Sequence, residues 1–352
     1  MDSSTPILIF RVASLGDHVL SLPVLHLIAR RFPHQQRILI TNAPHHPKAP
    51  TATSIFQGSN LVHQIIELPH NLSRKPAQVF RLFRKIRQSS AKALIYCSPP
   101  SASGKTSWFR NVLFFYLSGI RHFFGVPWHR QGEYLTLPTG MMESEASRLA
   151  RSLVSLGDAA LDRSSSWDLQ LTEAESEEAR ETLLPWQGTP FFAISISSSI
   201  QAKDWPVDRW RELMPLLRKA FPSHGFIAVG ALQDRDSSQA VLSAWEGAGL
   251  NLCGLASPRQ TVALLSHCQI FFGVDSGPMH LAASRDIPCV IVFSARTLPG
   301  IWFPRGKNNQ ILYKQTDCAN CGLQVCLKEN RRCILSITPE EMVASALHIL
   351  PR

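Results

Sequence analysis

The chain has 352 residues, 45% hydrophobic and 18% charged, a globular composition that excludes a disordered chain and is long enough for two ordinary domains. Its net charge of +10 is uneven: residues 1–165 carry 19 Lys and Arg against 8 Asp and Glu, and the rest carries 17 against 18. The basic first half suits an acidic partner, whether anionic lipid, phosphorylated glycan or nucleic acid.

The apolar stretch 6–10 is short and runs into Arg11 and Asp17, unlike a secretory signal. The aromatic run 108–128 is broken by Arg110, Arg121 and His122, short of the ~18–20 apolar residues of a spanning helix. A cytoplasmic protein is expected, with at most peripheral contact at the cytoplasmic face of the membrane.

In chain order, a strand is expected at 7–10, then a Gly-containing turn and a helix over 17–31 with Val19, Leu22, Leu25 and Leu27 on one face and Pro33 ending it. Strands follow at 37–41 and 65–68, a helix at 77–87 and a strand at 93–97. Between 143 and 184 the sequence turns polar and helix-prone, which places the domain junction there. The alternation resumes with strands at 191–196, 225–229 and 270–274, helices at 207–220 and 237–246, and a closing strand at 289–293. Strands alternating with helices predict α/β, doubly wound parallel sheets. The expected domains are 1–172 and 173–352. A terminal helix over 339–350 is capped by Thr338, with Glu341 at capping-box spacing, and is expected to pack back across the junction.

Parallel sheets bind ligands at the carboxyl ends of their strands, where helix amino termini present free amides. Three turns combine that position with suitable residues. In Gly273-Val274-Asp275-Ser276-Gly277-Pro278-Met279-His280, a strand delivers Asp275, Ser276 can cap, Gly277 admits a close ligand, and Pro278 suits a first helical turn. The turn can hold a diphosphate, or be a capped turn without a ligand. Ser197-Ser198-Ser199-Ile200-Gln201-Ala202-Lys203-Asp204 offers hydroxyls and one cation to a phosphate, or is a solvated loop. In Arg11-Val12-Ala13-Ser14-Leu15-Gly16-Asp17-His18, Asp17 is either a general base or a charge at the helix dipole; spacing alone favours capping.

Ser14-Leu15-Gly16-Asp17, Lys203 with Trp205-Pro206, and Asp275-Ser276-Gly277-Pro278-Met279-His280 together resemble glycosyltransferase family 9, the group of the ADP-heptose:lipopolysaccharide heptosyltransferases. Asn251-Leu252-Cys253-Gly254 followed by Leu264-Leu265 is also similar to the family's stretch before the donor motif. The resemblance covers nearly the whole chain. It implies a GT-B architecture, two Rossmann-like domains facing across a cleft, with acceptor bound by the first and nucleotide sugar by the second. It further implies inversion at the anomeric carbon without a required catalytic metal.

By that resemblance Asp17 deprotonates the acceptor, with Ser14 and Gly16 beside it, and Lys203 neutralises the departing diphosphate. Ser197, Ser198 and the amides of Ser276, Gly277 and Met279 complete the cradle, and Asp234 in Gly230-Ala231-Leu232-Gln233-Asp234 takes the ribose hydroxyls. That stretch departs from the family's usual second Gly and longer Glu, and Ser294-Ala295-Arg296 departs from its usual Gly-rich turn. His280 either donates to the donor or is a buried histidine. The implied donor is a heptose-like sugar on a nucleotide diphosphate, ADP first, and the acceptor is lipopolysaccharide or another acidic or lipid-linked glycan.

Cys318, Cys321, Cys326 and Cys333 fall within sixteen residues. In a reducing compartment this pattern points to a structural zinc or iron site, with free thiols as the alternative.

Rival patterns are weaker. Ser103-Gly104-Lys105-Thr106 lacks the Gly that a phosphate-binding P-loop needs, since Pro99 stands there, and a dinucleotide fold would need more than Gly16 after the first strand. The non-enzyme alternative is a basic protein that binds a membrane surface or nucleic acid. It rests on residues 73–92, where Val79, Leu82, Phe83 and Ile86 oppose Arg81, Arg84, Lys85 and Arg87.

Overall fold

The computed structural model describes residues 5–44, 49–69, 72, 75–98, 107–128, 132–327 and 329–351. The Ser103-Gly104-Lys105-Thr106 stretch lies outside them. The chain divides into two compact units, Met1–Leu135 with Glu143–Gln170, and Thr136–Met142 with Leu171–Arg352.

The first unit holds β1 (Ile7–Phe10), α1 (Leu15–Leu20), α2 (Leu22–Arg31), β2 (Arg37–Asn42), α3 (Ala52–Phe56), β3 (Gln64–Leu68), α4 (Pro76–Gln88), β4 (Ala93–Tyr96), α5 (Ser107–Leu117), β5 (His122–Phe124) and α6 (Glu145–Ser152). Its five strands are parallel, in the order β3-β2-β1-β4-β5. Helices on both faces bury all four residues of β1 and of β4, so these strands are apolar throughout and do not alternate. The helix expected over 17–31 is two helices, because Pro23 cannot continue a ladder begun at Leu15 and instead sits in the first turn of α2.

The second unit holds α7 (Glu173–Leu183), β6 (Phe191–Ser195), α8 (Val207–Ala220), β7 (Gly225–Ala228), α9 (Arg235–Ser243), β8 (Gly249–Asn251), α10 (Pro258–Leu265), β9 (Phe271–Val274), α11 (Gly277–Ser284), β10 (Cys289–Phe293), β11 (Gln310–Tyr313), α12 (Arg332–Leu335) and α13 (Pro339–Ile349). Its sheet is also parallel, ordered β11-β10-β9-β6-β7-β8. The series does not close at Cys289–Phe293 as expected. β11 adds a half-buried edge strand whose Gln310 and Tyr313 dilute the apolar signal.

Trp205, Trp210, Trp245, Phe192, Phe226 and Phe272 fill one core of this unit. The terminal helix, expected to reach across the junction, packs on α8 and places Met342 and Ala346 in that same core. Its capping box is formed: Thr338 donates its N–H to Glu341 Oε2 at 2.9 Å, and Glu341 N–H donates to Thr338 Oγ1 at 3.3 Å. Thr136–Met142 crosses the contiguous division expected at 172/173 and is anchored by the Met142 N–H donating to Pro299 O at 2.8 Å. Gly300 is required beside it, because a Cβ there would stand 2.2 Å from Met142 O and its φ is +104°.

Candidate functional site

In the second sheet, chain order runs outward from β6 through β7 and β8 on one side and from β9 through β10 and β11 on the other. The crevice between β6 and β9 is thus the switch point at which open parallel sheets bind ligands. β6 leads into the Ser197–Asp204 loop and β9 into the turn at Asp275. Although 72 positions apart in sequence, Lys203 and Asp275 meet there, with Nζ 2.8 Å from Oδ2. Both side chains are largely buried, Asp275 more than Lys203 (5% against 16% exposed). A carboxylate at the positive end of α11 is stabilised by the helix dipole as well as by the lysine.

Ser276 occupies the N-cap position of α11 and Pro278 its first turn, but the Ser276 hydroxyl makes no capping bond. It is buried with no hydrogen-bond partner among the described residues. An unmade bond on a buried hydroxyl is costly, so this oxygen is poised for a group that the protein itself does not supply. Met279 and His280 are both buried on the first turns of the helix.

The Ser197 loop is joined to the end of β7. Ser197 Oγ donates to Asp234 Oδ1 at 2.5 Å, and the Ala231 N–H donates to Asp234 Oδ2 at 2.8 Å. The Ser198 hydroxyl is engaged within its own turn, donating to Ile200 O at 2.9 Å. Asp204, to which the motifs assign no role, accepts from the Ser198 N–H at 2.7 Å and shapes the loop that presents Lys203. Burial raises its carboxyl above the usual range, against the opposing pull of that bond.

The cysteine-rich segment grips the same loop. Gln324 O accepts from the Ala202 N–H at 3.1 Å, the Cys326 N–H donates to Gln201 Oε1 at 3.1 Å, and Arg331 Nη1 donates to Asp204 O at 3.1 Å. Cys318, Cys321, Cys326 and Cys333 all line one cavity, with Ala202 and Arg331 in its wall. All four are free thiols, and the Arg331 N–H donates to Cys326 Sγ at 3.3 Å. Among the described residues no three or more His, Cys, Asp or Glu are drawn into a ligating group.

In the first sheet the switch point lies between β1 and β4. The Arg11–Ser14 loop is pinned there on both sides: the Val12 N–H donates to Ser98 Oγ at 2.9 Å and the Ala13 N–H to Asn42 Oδ1 at 2.7 Å. Asp17 Oδ2 accepts from both the N–H and the hydroxyl of Ser14, at 2.8 and 2.7 Å. The capping role is thus met by one oxygen. The other, Oδ1, has no hydrogen bond among the described residues. Gly16 is buried behind it.

Beneath this turn lies a network that the motifs did not indicate. Arg11, 1% exposed, donates from Nη1 to Glu145 Oε1 and to Cys97 O, both at 2.6 Å, and from Nη2 to Asp17 O at 3.2 Å. Arg148 grips the same buried carboxylate at 2.7 and 2.9 Å, and the Tyr134 hydroxyl donates to it at 2.8 Å. Burial pushes the Glu145 carboxyl up, but Arg11 and Arg148 outweigh it and hold the group at about 2. His18, next along α1, is driven down to about 3 by burial and then by the Arg11 charge, so it is neutral. The one readable signal was Arg11 itself, a charge directly following four apolar strand residues.

A family model for glycosyltransferase family 9 (heptosyltransferase) matches residues 144–331, more than half of the chain. Lipooligosaccharide heptosyltransferase 2 of Campylobacter jejuni is 26% identical over 102 residues, which is 28% of this chain and 31% of that protein; the chain is therefore matched to less than a third of this relative's length. Among solved structures, the family 9 glycosyl transferase of Veillonella parvula has a TM-score of 0.73 at 15% identity, covering 99% of this chain and 98% of its own. The E. coli heptosyltransferase WaaC with ADP-2-deoxy-2-fluoro heptose has a TM-score of 0.61 at 14% identity, over 98% and 99%. The iron-containing dodecameric glycosyltransferase TibC of enterotoxigenic E. coli reaches 0.50 at 15%, over 98% of this chain and 76% of its own. These likenesses are of fold, two parallel α/β units of the GT-B kind along the whole chain. Because the family match contains both strand ends that bring Lys203 to Asp275, the pair sits within the region that defines the relationship: the chain belongs to glycosyltransferase family 9.

Proposed function

We propose that the chain is an inverting glycosyltransferase that moves a heptose or closely related sugar from ADP to a lipopolysaccharide-type or other glycan acceptor. The observation that carries the reading is the Lys203–Asp275 pair beside the orphan Ser276 hydroxyl, at the switch point of the second sheet. An incoming diphosphate takes the lysine from Asp275, receives a hydrogen bond from Ser276 and meets the free amides of Gly277 and Met279 at the positive end of α11. Asp234 receives the ribose hydroxyls in exchange for its bond to Ser197. The complex of WaaC with an ADP-heptose analogue, on the same fold, supports ADP as the nucleotide.

In the transfer step, Asp17 Oδ1 takes the proton of an acceptor hydroxyl as that oxygen bonds to the anomeric carbon. The bond from that carbon to the diphosphate breaks on the opposite face, and ADP departs with the electron pair. Lys203 and the α11 amides stabilise the charge that develops on the leaving oxygen, each well-placed donor contributing about 3–4 kcal/mol. Ser14 holds Oδ2, so Oδ1 keeps its aim.

The purified chain, given ADP-heptose and a heptose-free lipid-linked glycan, is expected to yield ADP and an extended acceptor by mass spectrometry. Asp17→Asn is expected to abolish transfer and leave ADP-heptose binding intact. Normal turnover by that variant would remove Asp17 from the mechanism. No turnover and no binding by the parent with any nucleotide sugar would leave a basic binding protein that retains the fold.

The four thiols are proposed to hold a structural zinc or iron. Support comes from their common cavity, the N–H donated to Cys326 Sγ and the iron held by TibC on a similar fold. Bound metal would stiffen the segment that grips the Lys203 loop. Elemental analysis is expected to find about one metal per chain, lost in Cys321→Ser; metal-free parent protein would sink the site.

A further inference from the structure

We propose that α4 and α5 of the first unit form a docking face for an anionic lipid bilayer. Residues 68–132 contain eleven Lys and Arg and no Asp or Glu, so this one stretch accounts for the whole net charge of +10. At its centre α4 exposes Arg81, Arg84, Lys85 and Arg87. The two helices are neighbours, with the Phe83 and Phe114 rings 6.4 Å apart.

α5 has the more unusual surface. Val112 and Phe115 bury its inner side in the core of the unit. A helix on the surface of a water-soluble protein then carries charge on its outer side. Here Arg110 is the one charge of α5, and the outer side otherwise presents Phe109, Leu113, Tyr116 and Leu117, which with Phe80 on α4 and Trp128 beyond β5 are between 45% and 61% exposed. Large apolar residues gathered on one face mark an interaction site. Basic residues beside exposed aromatic and aliphatic ones match a bilayer surface, where cations meet lipid phosphates, Trp and Tyr sit at the headgroups and leucines enter the acyl boundary.

At 11 residues α5 is only about 16 Å long, against a hydrocarbon core of about 30 Å, so it lies on the bilayer and does not cross it. No described helix is long and apolar enough to cross a membrane. A second copy of the chain fits this face poorly, because it would bring Arg81, Arg84, Lys85 and Arg87 against the same four cations. Nucleic acid would use the arginines but leave Leu113 and Leu117 unexplained. The inference goes beyond the transfer reaction and does not depend on which sugar is moved.

Flotation of the full chain with vesicles tests it. The parent is expected to bind phosphatidylcholine vesicles containing phosphatidylglycerol, to ignore pure phosphatidylcholine, and to dissociate in high salt. Leu113→Ser with Leu117→Ser, and separately Arg81→Glu with Arg84→Glu, are each expected to weaken partitioning by about tenfold or more. Their thermal midpoints should be unchanged, since all four side chains face solvent. The proposal is overturned if the parent binds neither or both vesicle types alike, if either folded double variant binds as the parent does, or if Leu113→Ser with Leu117→Ser instead dissolves a self-associated oligomer. Binding to a DNA or RNA oligonucleotide that outcompetes the vesicles and survives both leucine substitutions would also overturn it.

Discussion

The two units place ion pairs at the same structural address, the switch point of a parallel sheet, and bury them differently. In the first, Glu145 is held by Arg11 and Arg148 with all three side chains almost wholly buried. In the second, Lys203 reaches Asp275 with one side still open to solvent. A ligand has no route to the first pair without dismantling it, so its work is architectural: Arg11 carries the network's rigidity to the Asp17 carbonyl. On the proposed function the second pair is exchangeable, with the anion of the donor approaching Lys203 from its open side and substituting for Asp275. A pair closed on every side holds a turn in place, whereas a pair whose lysine keeps one side open can receive a charge.

The sharpest way to break this comparison is at Glu145. Glu145→Ala leaves two guanidinium groups buried without their carboxylate and is expected to cost about 3–5 kcal/mol of stability, read by urea denaturation. A loss under 1 kcal/mol would mean that the guanidiniums reach solvent. Lys203→Ala should act on turnover more than on folding. We expect kcat with ADP-heptose to fall about 10²–10³-fold, and a variant that lost stability while keeping its rate would reverse the roles given to the two pairs.

The pH response separates the first unit further. Glu145 is held low, so its contribution is complete above the ordinary carboxylate value and is lost only as pH falls toward 2. His18 is also held low, at about 3 against an ordinary 6.5, so unfolding binds a proton as pH drops through 6.5. Stability should then decline below about pH 6.5 by roughly 1.4 kcal/mol per unit. In His18→Leu, midpoints measured between about pH 7 and pH 5 should flatten; an unchanged slope would assign the decline to another group.

Legibility in the sequence followed the same divide between local and distant. α8 and β10 are expected at Val207–Ala220 and Cys289–Phe293, where the structure has them, because the first is an amphipathic run after Pro206 and the second a short continuous apolar run between Pro288 and Ser294. α5 was unassigned because apolar residues on all sides leave no period to detect. Asp275, Ser276 and Pro278 were recognisable because a strand end and a helix start carry local signatures. The meeting of Lys203 with Asp275 depends on β6 lying beside β9, a property of strand order and not of either segment. Glu145 and Arg148 are readable as an i,i+3 pair, but their partner Arg11 stands 134 positions away.

The smallest effect tests whether the second unit's exchangeable character extends beyond the lysine. Gly230 adopts an ordinary backbone conformation, but a Cβ there would stand 2.9 Å from Asp234 Oδ2 and 3.4 Å from Cys253 Sγ. Cys253 is fully buried, so the carboxylate must give way, loosening its bonds from Ala231 N–H and Ser197 Oγ. Gly230→Ala should therefore cost only about 1 kcal/mol of stability. If Asp234 receives the ribose, KM for ADP-heptose rises severalfold while kcat holds, because the group binds the donor equally before and during transfer. A fall in kcat at constant KM would instead put Asp234 in the reacting centre, leaving the second unit with two carboxylates engaged in the chemistry, Asp275 through Lys203 and Asp234 directly.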